Sequence, residues 1–212
     1  MTRITSSMSA CVAPSSDLAV HASSDTAHAI VSGNIHAVRW MLDAGEPFEI
    51  DAVSIAAHHG HKDIVRLLID QGFPIHNEAT ACAAHGHTEC LRMLLDRNAR
   101  VSSDVVADTA ANGPAECLRM LLEHEDTELN EDAVMEAVLG NRTDNLAVLL
   151  SHRAPVNEEA VYDAASKGYL TCLQMLFDQG EKPSRSAYDA AVAGNHTACA
   201  RELARRRRLD LA

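Results

Sequence analysis

The sequence predicts an all-α solenoid of about seven antiparallel helix pairs. Three observations predict it: glycines that recur every 26 to 28 residues, an apolar stripe of helical spacing after each glycine, and an Ala-rich segment before it. The glycines are Gly33, Gly60, Gly86, Gly113, Gly140, Gly168 and Gly194. A unit of this length is too small to bury a core of its own, so neighbouring units must supply one another's interior.

The second helix of each unit is the more legible one. His61-Lys-Asp-Ile-Val-Arg-Leu-Leu-Ile-Asp70, His87-Thr-Glu-Cys-Leu-Arg-Met-Leu-Leu-Asp96, Pro114-Ala-Glu-Cys-Leu-Arg-Met-Leu-Leu-Glu123 and Tyr169-Leu-Thr-Cys-Leu-Gln-Met-Leu-Phe-Asp178 share one pattern. Apolar residues fall four, five, eight and nine places after the glycine, the single buried stripe of a helix of about ten residues. Pro114 suits a first helical turn. Gly45, Gly72, Asn98 and Gly180 suit left-handed helix ends, with Pro47, Pro74, Pro155 and Pro183 soon after to stop the helix. In the fifth unit, Asn145-Leu-Ala-Val-Leu-Leu150 continues the stripe one place late, which predicts a bulge or a lengthened turn there.

The first helix of each unit is shorter. Asn77, Ser103, Asn130, Asn157 and Ser184 are its expected N-caps. Segments such as Ala79-Thr-Ala-Cys-Ala-Ala84 are strong helix formers. Three places before the glycine stand Ala57, Ala83, Ala110, Ala137, Ala165 and Ala191, with Ile30 in the first unit. Residues that small let helices approach closely. The final helix, from Thr197 to Arg208, carries arginines where no further unit would cover apolar side chains, and its cations lie at the negative end of the helix dipole.

Composition narrows the function. Of 212 residues 47% are apolar but only 3% aromatic, so Ala, Leu and Met must fill the core. Thirty acidic against 18 basic residues give a charge of -12, a field that disfavours nucleic acid and anionic membranes as partners. No run is long and apolar enough for a membrane span. Residues 1–23, rich in Ser, Thr and Ala without an apolar signal core, are expected to be a disordered tail ahead of a single repeat domain, 24–212. Of the six cysteines, Cys90, Cys117, Cys172 and Cys199 lie in the apolar patterns and Cys82 at an Ala-like position, which reads as packing in a reducing, intracellular and cytoplasmic setting.

With Ala56-Ala-His-His-Gly-His61 and Ala83-Ala-His-Gly-His87 each leading into an apolar helix, the units resemble ankyrin repeats. They are most similar to the compact Cys-Leu units of ankyrin-rich proteins from large viruses, amoebae and algae. The resemblance covers roughly residues 24–208. Two features depart from the family: its usual period is about 33 residues, and its opening Thr-Pro-Leu-His is absent here. The missing length falls where the family carries projecting hairpins, so these should shrink to short turns.

The resemblance implies a protein-protein interaction module or adaptor that binds its partner on a concave face lined by the first helices. The family's variable position, five places before the glycine, is occupied by His28, Ile55, Ala81, Asp108, Met135, Asp163 and Asp189. His58, His59, His85, Asn112, Leu139, Ser166 and Lys167 extend the same face. Three aspartates on it suit a partner with a basic segment. The alternative is a structural or homo-oligomer-forming solenoid that pairs this face with another copy.

Chemistry is the minor alternative. Cys82-x-x-His85-x-His87-x-x-Cys90 has zinc-type donors. Cys90 recurs as Cys117 and Cys172 in units that lack those histidines, so periodic packing explains more with less. No metal or cofactor is expected. No nucleophile elbow, phosphate loop or His-Glu-x-x-His occurs, and an enzyme is not expected either.

Overall fold

The structure, a computed structural model, describes residues 25–125, 127 and 129–209, and among these it shows fourteen helices and no strand. The tail expected at residues 1–23 lies outside the described residues, as does the Cys82 side chain. The helices form seven successive pairs. They are α1 (25–31) with α2 (Ile35–Ala44), α3 (Ala52–His58) with α4 (Lys62–Asp70), and α5 (Asn77–Ala84) with α6 (Thr88–Leu95). There follow α7 (Ser103–Asn112) with α8 (Ala115–Leu122) and α9 (Glu131–Leu139) with α10 (Thr143–Ser151). The last are α11 (Glu158–Lys167) with α12 (Leu170–Asp178) and α13 (Arg185–Ala193) with α14 (Thr197–Leu209). This is the all-α solenoid that the period predicts. Short loops replace hairpins, and successive loops touch: Phe48 and Phe73 meet edge to face at 5.5 Å.

Alanine keeps a stricter period than glycine. Ala29, Ala56, Ala83, Ala110, Ala137, Ala164 and Ala191 recur every 27 residues, and all seven are buried. A methyl group is the largest side chain that such close neighbours accommodate, so the first helices lie nearer to one another than the second helices do. A stack that is tighter on one side curves toward that side.

The glycines are not equivalent to one another. Gly33, Gly60, Gly86 and Gly168 have positive φ and enter the turn before the second helix. In the fifth and seventh units that conformation belongs to Asn141 and Asn195, while Gly140 and Gly194 remain right-handed. The residue ahead of each second helix is then Asn34, His61, His87, Pro114, Arg142, Tyr169 or His196. Five residues separate it from the buried alanine in five units, but only four in the third and fourth. The expectation of a lengthened turn in the fifth unit is therefore corrected: two other turns are short, and the glycine count hid them.

Caps follow the expected chemistry in part. Asn157 and Ser184 accept from the backbone N–H groups of Ala160 and Ala187 at 3.0 and 3.1 Å. Asn77 and Ser103 are instead the first helical residues, behind His76 and Ser102. Asn130 turns its amide to Asp132. At the other helix ends Gly45, Gly72, Asn98 and Gly180 have positive φ as expected, and Arg153 joins them.

Each second helix buries one stripe: Ile64, Val65 and Leu68 in α4, for example, and Cys117, Leu118 and Leu121 in α8. Burial pushes the Cys90 thiol up to about 11, helped by the charge of Glu89, and burial also raises those of Cys117, Cys172 and Cys199. Asn145 occupies the cysteine's place in α10 and is equally buried. Its amide donates to the carbonyls of Thr109, Ala110 and Gly113 at 3.2, 2.8 and 3.0 Å, and Arg142 adds a donor to Gly113 at 2.9 Å. These carbonyls lie at the end of α7, where that of Thr109 also accepts the Gly113 N–H at 2.8 Å.

The last unit is closed by charge. Glu202 stands where α2 has Trp40 and the next second helices have Leu67, Met93, Met120, Val148 and Met175. Hydrogen bonds from Arg205 hold its carboxyl below the usual range, with Arg206 adding to the effect and burial opposing it. Arg206 also reaches back to Asp178 at 2.7 Å and lies over the Phe177 ring.

Candidate functional site

The alanine register decides which side chains share a face. A first helix buries its alanine against its neighbours, and the residues five, two and one places before that alanine and two places after it form the opposite stripe. Two places after it stand Val31, His58, His85, Asn112, Leu139, Ser166 and Ala193. Two places before it stand Ala27, Ser54, Ala81, Asp108, Met135, Tyr162 and Asp189. Among the described side chains, one place before it stand His28, Ile55, Thr109, Glu136, Asp163 and Ala190.

The glycine count therefore mixed two positions. Asp108, Met135 and Asp189 occupy one, whereas His28, Ile55 and Asp163 occupy the next. His58, His85, Asn112 and Leu139 do share one position and are exposed. His59 and Lys167 lie one residue further on, Lys167 as the last residue of α11 and His59 at the start of its turn, where the His59 ring sits 5.1 Å from that of His58 and stacks 6.0 Å from that of His61. Tyr162 and Glu136 were missed by sequence reasoning, and the 27-residue spacing of the alanines would have found both.

One contact fixes how neighbouring first helices face each other. His85 Nε2 donates to Asp108 Oδ2 at 2.8 Å across the gap between α5 and α7, and Asn112 donates to the other carboxylate oxygen at 2.9 Å. Two units later the equivalent positions hold Leu139 and Tyr162, 38% and 42% exposed. The carboxylates differ in their engagement: Asp108 is bound as described and Asp189 takes Arg185 at 3.1 Å. Among the described residues no cation pairs with Asp163 or Glu136.

Histidines after the turn glycines do a different task. His61 Nε2 donates to the Val31 carbonyl at 3.0 Å and His87 Nε2 to the His58 carbonyl at 2.9 Å, so each ring ties its unit to the one before. His85 and His87 are thus directed to separate partners, and among the described residues no three His, Cys, Asp or Glu side chains converge as metal ligands. Two clefts, of about 340 and 210 Å³, lie at the turns beside Arg142 and beside His61, and no stripe residue lines them. No described helix is long and apolar enough to cross a membrane.

Residues 26–104 match the family model of ankyrin repeats, in three copies. This is an ankyrin repeat fold. The ankyrin repeat domain of human ASB11, known from a crystal structure, is 19% identical and superposes with a TM-score of 0.68, covering 78% of this chain and 90% of that one. No curated protein matches the chain. The ankyrin fold continues beyond the matched segment, because the buried alanines keep their period through Ala110, Ala137, Ala164 and Ala191. Within it, the histidine that follows the turn glycine is a link between repeats.

Proposed function

We propose that the chain is a protein-binding module whose partner lies across the first-helix face, on the concave side of the array. Ankyrin repeats in general are protein-protein interaction modules, and that supports the reading. The observation that carries it is the contrast between the two sides of one helix. Toward the core, alanine stands at the same place in all seven units. Toward solvent, a fixed geometry presents histidine, aspartate, asparagine, leucine and tyrosine in turn, as an interface with its own specificity needs. Asp108, Asp163 and Asp189 favour a partner with a basic segment. Buried free thiols at Cys90, Cys117, Cys172 and Cys199 suit a reducing compartment.

The test is crosslinking and affinity capture from source cells, with the chain compared to its triple variant Asp108→Asn, Asp163→Asn, Asp189→Asn. Loss of a reproducible protein partner is expected, and capture that the three changes leave intact would sink the assignment. Light scattering is expected to give the mass of one chain at all concentrations. A dimer abolished by the same three changes would reassign the face to self-association.

A further inference from the structure

Four residues stand in one row, 27 apart: Asp108, Met135, Tyr162 and Asp189. Each projects from the same position of successive first helices, α7, α9, α11 and α13. Read across the helices, the row runs acid, apolar, aromatic, acid. We propose that this row receives an extended segment of a partner protein in which two large apolar side chains are flanked on each side by a basic residue. The proposal rests on the reading of the first-helix face as the binding face and names the partner's chemistry.

The centre of the row is apolar beyond what a solvated helix face needs. Tyr162 is exposed, and Leu139, also exposed, occupies the position relative to it that His85 occupies relative to Asp108. Met135 is one turn before Leu139 on the same helix, so all three side chains belong to the one face. Tyrosine is a favoured anchor for a partner, since it offers large area at small entropic loss and a face that attracts cations.

The border is acidic. Glu136 and Asp163, one residue beyond Met135 and Tyr162, carry carboxylates with no cation paired to them among the described residues. At the ends of the row, His85 and Asn112 hold Asp108, and Arg185 holds Asp189. These are exposed contacts of the kind that an incoming guanidinium or ammonium displaces at small loss. A charge of -12 on the whole chain draws a basic segment toward the face.

The geometry also sets the spacing of the partner's residues. Packed helices lie roughly 8–10 Å apart, and a segment in the polyproline II conformation advances about 3.1 Å per residue with about three residues per turn, so every third side chain faces the row and one rung corresponds to about three residues. The matching segment is basic, two spacers, apolar, two spacers, apolar, two spacers, basic.

The experiment is fluorescence anisotropy of the full chain with the labelled decapeptide Lys-Ser-Gln-Leu-Ser-Gln-Leu-Ser-Gln-Arg. Binding is expected, weakened about tenfold or more when both leucines become serine, when Lys and Arg become Glu, and when the protein carries Tyr162→Ala. Tyr162 is on the surface, and circular dichroism of that variant confirms an intact fold. A decapeptide that fails to bind, or binds as well to Tyr162→Ala as to the original chain, overturns the proposal. Partner capture separates the two readings: capture that still needs Asp108, Asp163 and Asp189 while Tyr162→Ala has no effect leaves the face standing and removes only the row. Capture and peptide binding both indifferent to every change remove both.

Discussion

His87 Nε2 lies 2.9 Å from the carbonyl oxygen of His58, and the ring held there rests against the backbone of Gly60. A carbonyl only accepts, so the imidazole carries its proton on Nε2. A Cβ at Gly60 would run into that ring, and the glycine has a φ of +71° besides.

Gly60→Ala should lower stability by about 2 kcal/mol or more, from the left-handed conformation and the collision together. His87→Ala alone should lose roughly 1 kcal/mol. Combined, the two should cost less than their sum, because the second change removes the obstacle met by the first. Urea unfolding followed by circular dichroism measures all three, and strict additivity would show that the ring does not press on the glycine.

Asn145→Leu should destabilise the chain by about 2 kcal/mol, since the buried carbonyls of Thr109 and Ala110 lose their side-chain donor while the apolar volume around them stays filled. Asn145→Asp should be worse, because a carboxylate cannot donate. Hydrogen exchange should show the loss concentrated where α7 meets α10, and a uniform loss would count against this role for the amide.

Arg153→Gly should stabilise by about 1 kcal/mol. Arg153 has a φ of +57° at a helix end where other units place Gly45, Gly72 or Gly180, and a side chain with a Cβ is strained there. An unchanged or lower urea midpoint would contradict this.

How far the sequence reached can be judged residue by residue. Seven helix pairs, absent hairpins and the left-handed ends at Gly45 and Gly72 were all legible, because periodicity and backbone chemistry are local. The register of the binding face was not fully legible. Glycine marks a conformation, and that conformation passed from Gly140 to Asn141 and from Gly194 to Asn195, as asparagine adopts it more readily than most residues with a side chain. Alanine marks a distance between helices, which nothing larger satisfies, so Ala137 and Ala191 kept their places. Contacts such as His85 with Asp108 depend on how units stack, and no single unit encodes that.

Alkylation should spare Cys90, Cys117, Cys172 and Cys199 in the native chain at pH 8 and modify them in urea, with peptide mass spectrometry as the readout. Burial favours their neutral thiols. The sign for pH follows: with the Cys90 thiol raised from 9.0 to about 11, its contribution is complete below about pH 9 and fades as pH climbs through 11. Stability that rises across this window would refute it.

The two short turns carry one more consequence. In the third and fourth units a residue missing before the second helix is restored before the next first helix, so the distance from one buried alanine to the next never changes. The face is in effect a ruler with graduations at every 27th residue. Any mark on it can be rewritten by substitution without moving the others. A single residue inserted inside a first helix, by contrast, would rotate the later part of that helix by about 100° and turn its mark away from the scale.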